Sequence, residues 1–413
     1  MDSLTDDLWA LVLAKLPIRI FTCFKVVCKQ WKSVMESPFF RKHFVSMHEN
    51  SSSSSSWLLM STDGRDAIMD YYHQCDIWGL KRPLSSFIKS ALNDKNPNQK
   101  YLDVKVVAYS DLGLILIYAI SKIKEKSSLY VANPVSHECV EIFLDPLLEK
   151  SQLCIPQWGI ATRVDENDIL LSFKVVVVNR GLSGAMLNCL IYSSETGMWS
   201  LDNTPFSKYF FTESSISLNG NLHWFAINKD SQDFLISMDL YTNSTSSDRW
   251  RVSHFPDLEK TIKFDRSCCR TPCHGFLMYI NIVSTTKVDG SLEEKLCVWR
   301  LQSEGWQLIS QISPGSILTG DFINYAPLTI NPFDAKTAYF WSEKQESMLY
   351  INLHTGKSLT YNQFELTSNR RTMIPAHDPR AVISLKNTCV GLVPFVLPQW
   401  LYRIPNMVAV RRV

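Results

Sequence analysis

The sequence predicts a small all-α module followed by an all-β propeller, and three observations carry that reading. Residues 4–44 hold large apolar side chains at helical spacing, and a run of six serines at Ser51–Ser56 then breaks the pattern. Beyond it, short runs rich in Val, Ile, Tyr, Phe and Trp recur with a period of about 55 residues, the range of a propeller blade. The division follows: residues 1–48 are a helical module, 49–56 a serine-rich linker, and 57–413 the propeller-like domain.

In the first segment Thr5 is placed to cap a helix whose first turn holds Asp6 and Asp7, where negative charge suits the helix dipole. Leu8, Leu11, Val12 and Leu16 then form an apolar stripe that needs burial, and Pro17 stops the helix. Ile20, Phe21, Phe24, Val27 and Cys28 repeat the spacing in a second helix, and Trp31, Val34 and Met35 in a third. Ser37 before Pro38 reads as an N-cap followed by a proline at the first helical position of a fourth helix. A unit this small has more large apolar side chains than it can hide, so a partner is expected to cover some of them.

The same residues resemble the F-box, whose pattern runs roughly Leu-Pro, two acidic residues, Leu, Ile or Val, Leu-Pro, Phe or Arg, Val-Cys-Lys and Trp. Here those places are held by Leu4, Asp6, Asp7, Leu8, Val12, Leu16, Pro17, Phe24, Val27, Cys28, Lys29 and Trp31. The first Leu-Pro is replaced by Leu4-Thr5, a departure expected to reduce adaptor affinity. The resemblance implies docking on a Skp-type adaptor, and through it on cullin and RING subunits, by Leu4, Leu8, Val12, Leu16, Pro17, Phe24, Val27, Cys28 and Trp31.

Beyond the serines, strands are expected at Trp57–Met60, Val104–Tyr109, Gly113–Ala119, Ile169–Val178 and Ile216–Phe225. An apolar strand end, a polar turn and an aromatic or apolar return recur at residues 77, 131, 191, 238, 298 and 351, in steps of 54, 60, 47, 60 and 53. Six markers give six blades, and the segment is long enough for seven. Since a blade cannot bury both faces alone, the blades are expected to close into a ring, with Trp57 and the stretch Val393–Leu397 as the closing pair. A pair of β-sandwiches or an irregular sheet with accidental spacing is the competing reading. Asn133-Pro134, the run Leu218–Trp224, and Val298-Trp299 with Trp306 resemble motifs of the F-box-associated and kelch-like domains of plant F-box proteins.

Charge excludes some roles. Lys and Arg number 42 against 40 acidic residues, so no nucleic-acid or anionic-membrane surface is indicated. Asp2, Asp6 and Asp7 stand where a secretory signal would be basic, and Leu112–Ile120 is too short to span a bilayer. Eleven irregularly spaced cysteines suit reduced thiols, hence the nucleus or cytoplasm.

The residue pattern also points away from catalysis. Cys268, Cys269, Cys273 and His274 lack a second ligand pair at finger spacing and, with Pro272 among them, read as a loop, so neither metal nor cofactor is expected. His223 reads as a hydrogen-bonded histidine in a strand, and Gly181 with Gly184 as a turn. With no nucleophile constellation, the expected role is a non-catalytic substrate receptor in an SCF-type ubiquitin ligase, holding an unidentified protein substrate. The alternatives are an F-box scaffold acting outside ubiquitination and a propeller enzyme such as a copper oxidase or glycan-processing enzyme. Asn179–Gly184 and Arg266–His274 are the segments proposed to touch substrate.

Overall fold

The computed structural model describes residues 5–16, 24, 27–49, 57–61, 70–73, 88, 90–92, 101–361, 392–396 and 404–405. Within 101–361 the exceptions are 122–126, 135, 137, 146–155, 167–168, 181–186, 204–208, 212–214, 231, 243–247, 257–267, 274, 287–291, 313–324, 333–334 and 343–346. Leu4, Pro17, Ile20, Phe21, the serine tract, the marker at 77, Gly181 with Gly184, and His274 therefore lie outside the described residues.

Among the described residues three helices come first: α1 (Asp6–Leu13), α2 (Lys29–Glu36) and α3 (Pro38–Glu49), with Phe24 helical between the first two. Thr5 precedes α1 in extended conformation, but its side chain makes no capping bond. Cys28 does not continue a second helix as expected. It is extended (φ −154°) and caps α2, its Sγ accepting from the Trp31 amide at 3.4 Å. Ser37 caps α3 as predicted, its hydroxyl accepting from the Phe40 amide at 3.1 Å.

The strands of the described residues fall into six antiparallel sheets. Sheet I holds β3 (Tyr101–Tyr109), β4 (Ile115–Ser121), β5 (Ser127–Asn133) and β6 (Glu138–Ile142). Sheet II holds β7 (Gln157–Val164), β8 (Leu170–Arg180), β9 (Leu187–Ser193) and β10 (Met198–Asn203). Sheet III holds β11 (Phe210–Phe211), β12 (Ile216–Leu218), β13 (Asn221–Ile227), β14 (Asp233–Asp239) and β15 (Trp250–His254). Sheet IV holds β16 (Cys268–Cys273), β17 (Phe276–Thr286), β18 (Leu292–Gln302) and β19 (Gly305–Ile312). Sheet V holds β20 (Tyr325–Ile330), β21 (Thr337–Ser342), β22 (Ser347–Asn352) and β23 (Ser358–Tyr361).

The last sheet joins the two ends of the domain. β1 (Trp57–Ser61) lies between β2 (Asp70–His73) and β24 (Leu392–Val396), with Trp57 opposite Val396 and Ser61 opposite Leu392. The pairing of the strand at Trp57 with the stretch at 393–396, expected from the sequence, is present. The leading strands of successive sheets are neighbours: β3 beside β7, β7 beside β12, β12 beside β16, β16 beside β20, and β20 beside β24.

Sheets I to V pack face to face in succession through the period-2 alternation of their strands. Leu116, Leu129 and Val131 of sheet I share a core with Phe173, Val175 and Val177 of sheet II. The opposite face of sheet II, through Val176, Val178 and Ile191, packs on Trp224, Ile236 and Met238 of sheet III. Phe225 and Leu235 then meet Leu277 and Tyr279 of sheet IV, whose Ile280 and Val298 meet Phe340 and Leu349 of sheet V.

Two strand expectations need correction. Ile216–Phe225 is a hairpin rather than one strand: Asn219 (φ 51°) and Gly220 (φ 75°) both take left-handed conformations and turn β12 into β13. Asn-Gly is the sequence suited to such a turn. Residues 268–273, expected as a loop, form β16; Pro272 fits because this strand pairs on one side alone. The five markers from 131 to 351 all fall on the third strand of a sheet, β5, β9, β14, β18 and β22. Their polar turns are mostly the links to the fourth.

Inner strands approach closely at Gly159. A Cβ there would lie 2.5 Å from Ser215 Oγ and 2.6 Å from Leu222 Cδ1, while Ser215 donates to the Trp158 carbonyl through its amide (3.2 Å) and hydroxyl (3.1 Å). Gly159→Ala is expected to lose about 1–3 kcal/mol by overpacking, read as a lower urea midpoint.

His223 on β13 stands with Nδ1 2.8 Å from Ser237 Oγ, and burial lowers its pKa to about 4. The unfolded chain takes up this proton near the ordinary pKa of 6.5, the folded chain only near 4, so stability falls as pH drops through that window. His223→Gln is expected to flatten that part of the pH–stability curve, measured by urea unfolding between pH 7 and pH 4.

Candidate docking surface

The helical module sorts its side chains into two sets. Ala10, Leu13 and Ala14 point inward and are buried with Val34, Met35, Phe40 and Phe44. Leu8, Leu11 and Val12, spaced i, i+3 and i+4 on α1, are 45%, 44% and 50% exposed. The predicted apolar stripe thus exists but faces out of the module. Its inner counterpart is built partly on alanines, whose small side chains permit close approach, and counting large hydrophobes overlooked them. Val27, in the turn before α2, adds another exposed apolar side chain at 59%.

Trp31 holds the module together from within. Its ring centroid lies 4.8 Å from that of Trp9 and 5.3 Å from that of Phe24, the latter edge-on. Gln30 Nε2 donates to Asp6 Oδ1 at 2.8 Å, tying the start of α1 to α2. Of the predicted docking residues, Leu8, Val12, Val27 and Cys28 are exposed, and Leu16, Phe24 and Trp31 are partly buried against the module's core. Leu4 and Pro17 lie outside the described residues.

A second polar feature sits where the leading strands turn back. Asp111, between β3 and β4, accepts from the Asn219 amide (2.6 Å), Thr162 Oγ1 (3.0 Å) and Ser217 Oγ (3.4 Å). Asn219 Nδ2 in turn donates to the Gly275 carbonyl at 3.1 Å, so one chain of bonds links sheets I to IV. Burial raises the Asp111 pKa, and these donors oppose the rise. Nearby, Tyr241 donates to the carbonyls of Ala161 (3.3 Å) and Ser172 (3.4 Å), and Lys174 Nζ stands 4.7 Å from its ring centroid. These groups are satisfied by one another and make a clasp between sheets rather than a site with a free nucleophile. Among the described residues no group of three metal-type ligands converges.

In an antiparallel meander the first and third turns lie at one end of the sheet and the remaining connections at the other. The clasp is at the turn end. Asn179 and Arg180 close β8 at the opposite end, where the Asn179–Gly184 candidate begins, while most of Arg266–His274 is β16 itself.

Comparison with known proteins agrees with this two-part architecture. The F-box domain model matches residues 1–43, and the model described as "F-box protein At3g26010-like, beta-propeller" matches residues 55–406. The chain belongs to the F-box proteins with a C-terminal β-propeller. F-box protein At3g28330 of Arabidopsis thaliana is 46% identical over 413 residues, covering 99% of this chain and 97% of that one. F-box protein At3g26010 of the same plant is 29% identical, covering 97% of this chain and 90% of that one. Among solved structures, an α-L-arabinanase of Penicillium chrysogenum complexed with arabinobiose covers 76% of this chain and 87% of its own, at 11% identity and a TM-score of 0.33. A likeness that remote carries no argument about activity.

The two sets of module residues differ in what they support. Trp31→Ala is expected to destabilise α1 and α2 by about 2 kcal/mol through lost packing, and Leu8→Ala by less than about 0.5 kcal/mol. Native-state hydrogen exchange of the α1 and α2 amides measures both.

Proposed function

We propose that this F-box protein is the substrate-recognition subunit of an SCF-type ubiquitin ligase. Its helical module docks on a Skp-type adaptor, and the propeller holds a protein substrate. The observation that carries the reading is the outward apolar stripe Leu8, Leu11 and Val12 on the first helix of a segment matched by the F-box model. Exposed apolar side chains on one helical face fit a protein partner that buries them. Leu16, Phe24 and Trp31 support that face from behind, and the resemblance implies that Leu4 and Pro17 also take part in adaptor binding.

The six sheets are read as six blades of one ring, closed by the pairing of β1 with β24. A rigid ring presents its longer connections side by side, and the face opposite the Asp111 clasp is the proposed substrate surface. No step of chemistry is assigned to the chain. Its contribution is to raise the effective concentration of a substrate lysine beside a ubiquitin-charged enzyme supplied by the other subunits.

The test is co-purification with a plant Skp adaptor. Leu8→Asp with Val12→Asp places two charges in the proposed interface, and adaptor affinity is expected to fall at least about a hundredfold while thermal unfolding is unchanged. Full adaptor binding by the double variant would remove the assignment of this face.

A further inference from the structure

The core of the helical module does not end at the module. One buried apolar cluster contains Leu13, Met35, Phe40 and Phe44 from the helices, Ile88, Ala91 and Leu92 from a helical turn later in the chain, and Ile115, Ile117 and Tyr130 from sheet I. Ile88 and Leu92 are almost wholly buried, at 0% and 1%, whereas Ser90 in the same turn is exposed.

The alternation of sheet I shows which face is involved. Leu116, Leu129 and Val131 point to sheet II, and Ile115, Ile117, Ala119, Tyr130 and Ala132 point the other way. That second face is the one a preceding blade covers in a stack of blades. Here Ile88, Ala91 and Leu92 and the buried side chains of α1–α3 share one apolar cluster with it. The sheet that precedes it in the ring, β2-β1-β24, is the only one with three strands among the described residues.

We infer that the helical module is built into the propeller at the junction between the closing sheet and sheet I, with Ile88 and Leu92 as the joint, so that module and sheet I form one rigid unit. The orientation of the α1 stripe is then set by a shared core and not by the reach of the serine tract. An apolar cluster of this kind is close-packed, and removing one side of it exposes the other to water. The inference concerns the internal build of the chain and stands whether or not α1 binds an adaptor.

A nick between the two parts decides it. A site-specific protease sequence replaces Ser51–Ser56 in the full chain, the purified protein is cut, and the product is run on gel filtration without denaturant. The N-terminal fragment is expected to remain with the rest and to leave only when denaturant is added. Separation in native buffer would overturn the inference. Leu92→Asp, or Leu92→Ala if the charge prevents folding, is expected to speed release of the nicked fragment at least about tenfold, as loss of interface packing acts mainly on dissociation. Ser90→Asp is expected to leave release unchanged. Retention of the fragment by a folded Leu92 variant as firmly as by the parent would overturn the role of the joint.

Discussion

The fold depends on face-to-face burial between consecutive sheets. Strand residues alternate between two faces, and in sheets I to IV both faces are apolar, so none of these sheets can stand alone in water. Burial of one face by the next sheet leaves a new apolar face to be covered, and the demand is passed along the chain. At the ends of the domain β24 pairs with β1, and the first face of sheet I shares a buried cluster with Ile88, Ala91, Leu92 and the N-terminal helices.

That packing sets the side chains allowed at the inner edge. Leading strands come closest to one another, and a residue as small as Gly159 is needed where β7 meets Ser215 and Leu222. The same strands pair on one side alone, and Pro272 in β16, Pro327 in β20 and Pro394 in β24 all occupy leading strands. A missing N–H is tolerated at a sheet edge and not within the ladder. Polar groups there have few water partners, so Asp111 takes its hydrogen bonds from three donors on sheets II and III.

Much of this was legible in the sequence, and the limits have physical causes. The markers at 131, 191, 238, 298 and 351 located the third strands because the link to the fourth is mostly a short polar turn. Gly197 (φ 69°) and Gly356 (φ 68°) mark two such turns with left-handed backbone. The closing pair was legible as an apolar run at each end of the domain. The hairpin at Asn219-Gly220 was missed because apolar residues on both sides of a two-residue turn read as one run, although the dipeptide itself was the available signal. β16 reads as a loop in the sequence because Pro272 argues against a central strand, and the sequence alone does not say which strands are edges. Ala10 and Ala14 carry little signal in the sequence because apolar periodicity rests on large side chains, while contact between helices favours small ones.

The module's residues divide between holding shape and facing outward, and that division explains why one motif serves both ends. Trp9 and Phe24 each pack on Trp31, and Cys28 ends an extended turn by capping α2, so the pattern of large residues serves partly the module's own stability. Leu8, Leu11 and Val12 are about half exposed and join none of the buried clusters of the described residues. Exposed apolar side chains on a helix add nothing to the folded state, and they favour aggregation unless a partner covers them. The inner side of the module shares its buried cluster with sheet I, so the outer face of α1 is the side of that helix on which further apolar area remains to be buried.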